Sequence, residues 1–354
     1  MSTRPRLTPA MADTRRAVRE LMRAQFVDAL NALTRMPGCA GGTGYDVPAD
    51  APLVLVALSG GADSLALAAA TAFEAQRCGV RAGAVIVDHG LQAVSADVAE
   101  AAAATARKLG LSPVVVERVS VGRVDPQGCI ETHGPEGDAR AARYAAFEKV
   151  AHETGASAVL LAHTRDDQAE TVLLGLTRGA GATSIAGMTP VNGLYLRPFL
   201  SITREQTVAA CADQGLAPWH DPHNRDSAYA RVRIRRDVLP VLETELGPGV
   251  ADALARTATH LQDDAEVLDA LAKQAWCEAW VDEGISTKQI AEQPRAIRTR
   301  VYRAAAQRAG LGALTAAHLD AIDLLITNWH GQGALDVPGG QVQRSEDKLV
   351  FSAQ

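Results

Sequence analysis

Lysine, cysteine and aromatic residues are all scarce in this chain of 354 residues. The five cysteines, Cys39, Cys78, Cys129, Cys211 and Cys277, are odd in number and far apart, with no CxxC pair. That argues against a disulfide framework, a zinc knuckle or a four-thiolate cluster, and a reducing cytoplasm suits it best. Only 5 lysines stand beside 30 arginines in an alanine-rich chain, a bias read as coding preference and not as a sign of RNA binding. No apolar run reaches the roughly 18 residues of a membrane-spanning helix, so no membrane partner is expected. The basic N-terminus has no apolar stretch behind it, which argues against a secretory signal. The net charge is −6, so the chain is no bulk polycation, and any nucleic-acid contact must come from local patches.

The length suits two domains, and 47% hydrophobic with 21% charged residues suits a globular fold with a real core. Residues 1–50 read as an N-terminal helical extension. Within it Val18, Leu21, Met22, Phe26, Leu30 and Leu33 recur at helical spacing over 14–33, before a Gly/Pro-rich loop. Over 51–245 short apolar runs alternate with longer helical patterns: strands are predicted at 53–58, 82–87, 113–119 and 158–162, helices at 64–77, 96–109, 138–153 and 166–177. That alternation predicts an α/β fold with a doubly wound, mainly parallel sheet, whose ligands bind at the carboxyl ends of the strands. Residues 246–354 read as mainly helical, over 250–273, 294–309 and 316–326. They end in a short β-hairpin around Pro338-Gly339-Gly340.

The strongest local signal is Ser59-Gly60-Gly61-Ala62-Asp63-Ser64, directly after the first buried strand and before a helix. Two glycines let the backbone approach a ligand, and successive N–H groups at a helix start can face phosphate oxygens. Asp63 is out of place in a pure anion site, and a bridging cation such as Mg²⁺ explains it most simply. The stretch has neither the GK[ST] ending of a P-loop nor GxGxxG spacing. Asp88 and His89 end the second strand on the same sheet edge, placed for nucleotide or metal contact. His163 ends the fourth strand, and Asp167 and Glu170 share one face of the following helix. Those acids either hold an ammonium group, help hold Mg²⁺, or simply complement the helix dipole. Arg140 and Arg143 are helical neighbours, one of which reaches the active edge or lines a solvated face. Arg178 closes a helix before a Gly-rich turn. Between 225 and 236, five arginines, including Arg231, Arg233, Arg235 and Arg236, face one acid, a patch suited to phosphates or to plain solvation. Arg295, Arg298, Arg300, Arg303 and Arg308 form a second cluster whose helical angles scatter too far for one ligand.

The SGGADS stretch resembles the SGGxDS loop of the N-type ATP pyrophosphatases. Four further stretches are similar to the tRNA(Ile)-lysidine synthetase family: Val87 to Leu91 (VDHGL), Glu136 to Tyr144 (ExxARxxRY), Leu161 to Thr171 (LAHTRDDQAET), and Arg178 to Gly181 leading to Gly187-Met188. The likeness covers roughly 53–240, and more weakly the helical remainder. It implies an adenine-nucleotide α-hydrolase-like catalytic domain followed by a tRNA-recognition domain. It implies a carbon–nitrogen ligase that joins free L-lysine to C2 of the wobble cytidine of tRNA(Ile) with a CAU anticodon. The implied reaction would pass through an adenylated cytidine and release AMP and pyrophosphate, and would change codon reading from AUG to AUA and aminoacylation from Met to Ile. ATP would lie on Ser59, Gly60, Gly61, Ala62, Asp63 and Ser64, with Asp88 and His89 beside it and Mg²⁺ on Asp63. Lysine would be held by His163, Asp167 and Glu170. Asp63, Arg143, Asp167 and Glu170 would be catalytic, and Arg178, Arg231, Arg233, Arg235 and Arg236 would meet tRNA. A homodimer is compatible with all of this.

The chain departs from the family pattern at Gln92, Thr164, His223 and Val232, positions that bear on RNA contact and on which groups hold lysine. Three other readings stand beside this one. A tRNA thiolation enzyme of the same fold commonly needs active cysteines or an iron–sulfur cluster. An adenylating amide synthetase for small molecules needs no arginine patches. A non-catalytic RNA-binding protein with a vestigial nucleotide loop needs neither Asp63 nor the acids.

Overall fold

The computed structural model describes residues 7–32, 34–35, 45–90, 95–119, 135–178, 181–219, 221 and 226–353. The Gly/Pro-rich loop of 36–44, Leu91, Gln92, the 120–134 loop, Gly179, Ala180, His220, Pro222 to Arg225, Cys39, Cys129 and the Glu136 side chain lie outside them. Two compact units emerge: Met1–Leu174 with Gly187–Ala255, and Gly175–Ala186 with Arg256–Gln354. Among the described residues no helix is long and apolar enough to cross a membrane.

The first unit opens with α1 (Pro9–Gln25), capped by Thr8, whose hydroxyl accepts the Met11 N–H at 3.3 Å. The predicted helix at 14–33 thus starts a turn earlier and breaks at Phe26. The sheet is built from β1 (Leu53–Ala57), β2 (Arg81–Asp88), β3 (Val114–Arg118), β4 (Ala156–Leu160), β5 (Val191–Asn192) and β6 (Tyr195–Leu196). Its order is β3-β2-β1-β4-β6-β5, parallel throughout except for the β5–β6 pair. β1 lies inside the sheet and is buried on both faces, which is why it reads as LVLVA without alternation. Its side chains still alternate between two cores. Val54 and Val56 pack in a cluster with Val18, Met22, Leu67 and Ala103; Leu53 and Leu55 pack in another with Phe147, Val150 and Val159.

The connecting helices are α2 (Ala62–Glu74), α3 (Ser95–Lys108), α4 (Pro135–Thr154), α5 (Arg165–Thr177) and α6 (Arg204–Asp213). The chain runs outward from β1 through β2 to β3, then returns to place β4 on the other flank of β1. The winding direction therefore reverses between β1 and β4, and the crevice beyond their carboxyl ends is where such a sheet takes a ligand. Farther on come α7 (Ala230–Arg233), a π-helical turn over Ile234–Val238 and α8 (Leu239–Glu245).

α9 (Val250–Ala279) is 30 residues long and leads into the second unit. There β7 (Trp280–Val281), β8 (Gly284–Ser286), α10 (Arg295–Arg308), α11 (Ala316–Thr327), β9 (Leu335–Val337), β10 (Gly340–Ser345) and β11 (Lys348–Ala353) follow. The predicted terminal hairpin is part of a larger structure, a five-stranded antiparallel sheet of order β9-β10-β11-β8-β7. Ile285, Ile290, Ile297, Val301, Tyr302, Ile322, Val342 and Leu349 fill its core.

Candidate active site at the carboxyl edge of the sheet

The turn after β1 is shaped for an anion. Gly60 has φ +83°, which favours glycine, and its carbonyl accepts the Trp219 N–H at 2.9 Å. Gly61 is the N-cap of α2 and supplies no side chain to its first-turn N–H groups. Ser59 is exposed at the mouth. Ser64 is buried and stitches the turn: its hydroxyl donates to the Gly61 carbonyl at 3.0 Å and accepts the Ser59 N–H at 3.2 Å. Its hydroxyl thus holds the loop in shape.

Asp63 leaves the first turn of α2 and accepts a short hydrogen bond from the Thr207 hydroxyl. Burial raises its pKa, only partly offset by Thr207 and the Arg204 guanidinium. Between β4 and α5 stands Thr164. It is fully buried, and its N–H and hydroxyl bond Asp167 Oδ2 at 2.8 and 2.9 Å. Arg204 Nη2 reaches Asp167 Oδ1 at 2.9 Å. Burial alone would push this carboxyl up, yet Arg204 and the Thr164 N–H outweigh it and hold Asp167 low. Glu170 is fully buried, and Arg235 grips it through two parallel bonds of 2.6 and 3.1 Å. Burial nevertheless leaves its pKa raised. The structure thus joins Asp63, Asp167 and Glu170 through two guanidinium groups.

The other expected residues divide. Arg143 Nε approaches His89 Nε2 at 3.4 Å, which brings those two together at the strand edge. Burial, then Arg143, lowers the His89 pKa, so the ring is neutral at pH 7. Asp88 is buried and turned inward, accepting the Gly90 N–H at 3.0 Å and Arg118 Nε at 3.2 Å. Those bonds shape the strand end. His89 Nδ1 and His163 Nδ1 are both buried without a hydrogen-bond partner. Arg235, expected on a tRNA patch, points into the acid cluster. Arg233 Nη1 bonds the Ser227 and Ala228 carbonyls at 2.7 and 2.8 Å, while Arg231 is half-buried and Arg178 and Arg236 are exposed. In the second unit, Arg295, Arg298 and Arg300 pair with Asp320, Asp323 and Asp269.

Reading the sequence missed three residues. Thr207 and Arg204 belong to α6, whose start was marked by a capping box, Thr203 to Gln206, at 3.0 and 2.9 Å. Gln168 clamps both the N–H and the carbonyl of Met188, at 2.7 and 2.9 Å. A Cβ on Gly187 would sit 2.6 Å from its amide oxygen, which explains the Gly187-Met188 pair structurally.

Residues 43–242 match the PP-loop domain family, and residues 286–350 match the TilS substrate binding domain. The tRNA(Ile)-lysidine synthase of Leifsonia xyli subsp. xyli is 55% identical over 304 residues, covering 84% of this chain and 89% of that protein. The tRNA(Ile)-lysidine synthase of Salinispora tropica is 48% identical, covering 97% of each chain. This chain belongs to the tRNA(Ile)-lysidine synthase family. As a family member it is an ATP-using ligase of the PP-loop class, and the Ser59–Ser64 turn lies within the matched PP-loop domain. The solved U34-tRNA thiolase NcsA from Methanococcus maripaludis, with its 4Fe–4S cluster, shares the fold at 18% identity and a TM-score of 0.53, over 72% of this chain and 80% of that one. Among the described cysteines of this synthase-family chain, Cys78 and Cys211 are buried, which raises their thiols to about 11 and about 12 and keeps them from acting as thiolates.

Both nucleotide and metal fit the residues present. The uncapped α2 start and the positive-φ Gly60 form a phosphate cradle, and the orphaned His89 Nδ1 offers a buried polar atom beside it. Among the described residues no three His, Cys, Asp or Glu side chains converge on a metal position. A magnesium ion shared with phosphate oxygens needs only one or two carboxylates, and Asp63 supplies one.

Proposed function

We propose that this protein ligates L-lysine to C2 of the wobble cytidine in a tRNA(Ile) bearing a CAU anticodon, at the expense of ATP. What carries the reading is the placement of the PP-loop after β1 and the acid pair after β4, on the two flanks of one switch point. A nucleotide held on the first stretch lies beside whatever amine the second stretch holds. The base must leave its stack to enter, and an anticodon loop makes that easy.

The PP-loop N–H groups would hold the phosphates so that the α-phosphorus faces the cytidine O2. That oxygen attacks phosphorus, pyrophosphate leaves, and C2 becomes open to an amine. Asp63 would carry Mg²⁺, which supplies charge neutralisation on the departing phosphates. Arg143, steadied against neutral His89, is the cation available to charge developing on the nucleotide. Asp167 is the acid held ionised, so it orients the incoming ammonium, and Glu170, with its raised pKa, is the better base to accept its proton. The amine then displaces AMP from C2. Exposed Arg178 and Arg236 and half-buried Arg231 would meet tRNA phosphates, with Arg233 helping to hold the turn at Ser227 and Ala228.

The test is incubation with ATP, Mg²⁺, labelled lysine and a tRNA(Ile) transcript with a CAU anticodon. Label should stay on RNA through denaturing gels and be absent with a CAC control; RNA without label would remove the proposal. Asp63→Asn should abolish ATP–pyrophosphate turnover while sparing tRNA binding, and equal loss of both would remove Asp63 from that role.

A further inference from the structure

Every carboxylate oxygen of Asp63, Asp167 and Glu170 already faces a protein donor. Asp63 Oδ1 accepts Thr207, and Oδ2 lies 3.6 Å from Arg204 Nε. Asp167 Oδ2 takes both Thr164 donors, and Oδ1 faces Arg204 at 2.9 Å and Arg235 at 3.4 Å. Both Glu170 oxygens are held by Arg235. An ammonium arriving here competes with the resident donors for the same carboxylate oxygens. The donors are unequal. Thr164 is fixed by the backbone at the start of α5. Arg235 binds Glu170 in a two-pronged geometry, the strong form of this pair. Arg204 makes one short contact, and its others, to Asp63 at 3.6 Å and Glu170 at 3.7 Å, are long. Its side chain is 27% exposed. It is also the first residue of α6, where the positive helix end disfavours a guanidinium. The surrounding carboxylates offset that cost, and Asp166 also accepts the Arg204 backbone N–H at 2.9 Å.

We infer that Arg204 is a resident counter-ion of the acid cluster, displaced by the ammonium of lysine when the substrate binds. This rests on the proposed reading of Asp167 and Glu170 as the lysine site. The exchange swaps one cation for another, so the buried carboxylates are never left uncompensated, which would be costly. It also supplies selectivity. A ligand without a cation of the right reach cannot displace Arg204 and meets a closed, self-paired cluster.

Binding of labelled lysine to the full chain without tRNA, by equilibrium dialysis, reads this directly. Arg204→Gln removes the competitor and should tighten lysine binding about fivefold, the scale of a partly exposed ion pair; unchanged or weaker binding would overturn the inference. A scaffolding role predicts the opposite sign, since loss of a brace loosens a pocket. The unaltered protein gives a second reading: saturating lysine should speed phenylglyoxal modification of Arg204, followed by peptide mass spectrometry, and protection of Arg204 would overturn it. That measurement decides the matter if Arg204→Gln fails to fold. Asp167→Asn separates the layers. If it leaves lysine binding intact, the acid pocket itself is misassigned. If it weakens binding while Arg204→Gln does not tighten it, only the counter-ion inference falls.

Discussion

Gln168 shows what a single buried amide is for. It is 3% exposed and bonds both backbone groups of half-buried Met188, so Gln168→Ala removes a donor and an acceptor that hold that segment. The expected loss is about 1–3 kcal/mol, read as a lower urea midpoint. His163 gives a pH signature. Burial drives its pKa down to about 4, against the opposing pull of Asp167 and with Arg197 helping. An unfolded imidazole titrates near about 6.5, so the unfolded chain takes up a proton first as pH falls. Stability from this group is full above that value and is lost between it and the folded pKa. Urea midpoints should therefore fall from pH 7 to pH 5, and His163→Gln should flatten that fall. At this scale the sequence exposed the acids and the PP-loop, because their spacing relative to strand and helix starts is local. It hid the fate of Arg235. That side chain lies on a run of arginines suited to phosphate, yet its partner Glu170 is far away along the chain.

α1 shows how an element outside the sheet bears on it. Val18 and Met22 pack with the α2 residue Leu67, Arg19 approaches Glu74 at 3.5 Å, and Asp13 accepts from Gln206 Nε2 at 2.9 Å. The N-terminal helix therefore touches both α2, which carries Asp63, and α6, which carries Arg204 and Thr207. Glu74 is 1% exposed, and burial raises its pKa, with Arg19 and Arg77 offsetting only part. For a carboxyl with a raised folded pKa, the unfolded chain ionises first as pH climbs, so stability from this group is lost on the alkaline side. Glu74→Gln should thus raise the urea midpoint at pH 7, and the gap should close below about pH 4.5, where the unfolded carboxyl is itself protonated. The long helices and the core strands were legible because burial on two faces or one stripe leaves a periodic mark. β5 to β8, of two or three residues each, are too short to show a period.

Across the whole molecule the charge is acidic, and contact with tRNA must come from selected arginines. Arg236 is exposed, whereas Arg235 belongs to the acid cluster. Arg236→Ala should weaken tRNA binding and make the log–log salt slope shallower by about one, whereas Arg235→Gln should disturb lysine binding and stability and leave the slope alone. Equal slopes for Arg236→Ala and the unaltered protein would take Arg236 out of the RNA interface. Sequence alone determined the doubly wound parallel sheet, the anion turn after β1 and the acids opening α5, because each follows from local pattern and from the direction a strand runs. Tertiary structure alone decided that Arg204 and Arg235 close over those acids, and that the terminal strands join a five-stranded sheet. Such pairings depend on which distant segments the packed core brings together, and no local period records that.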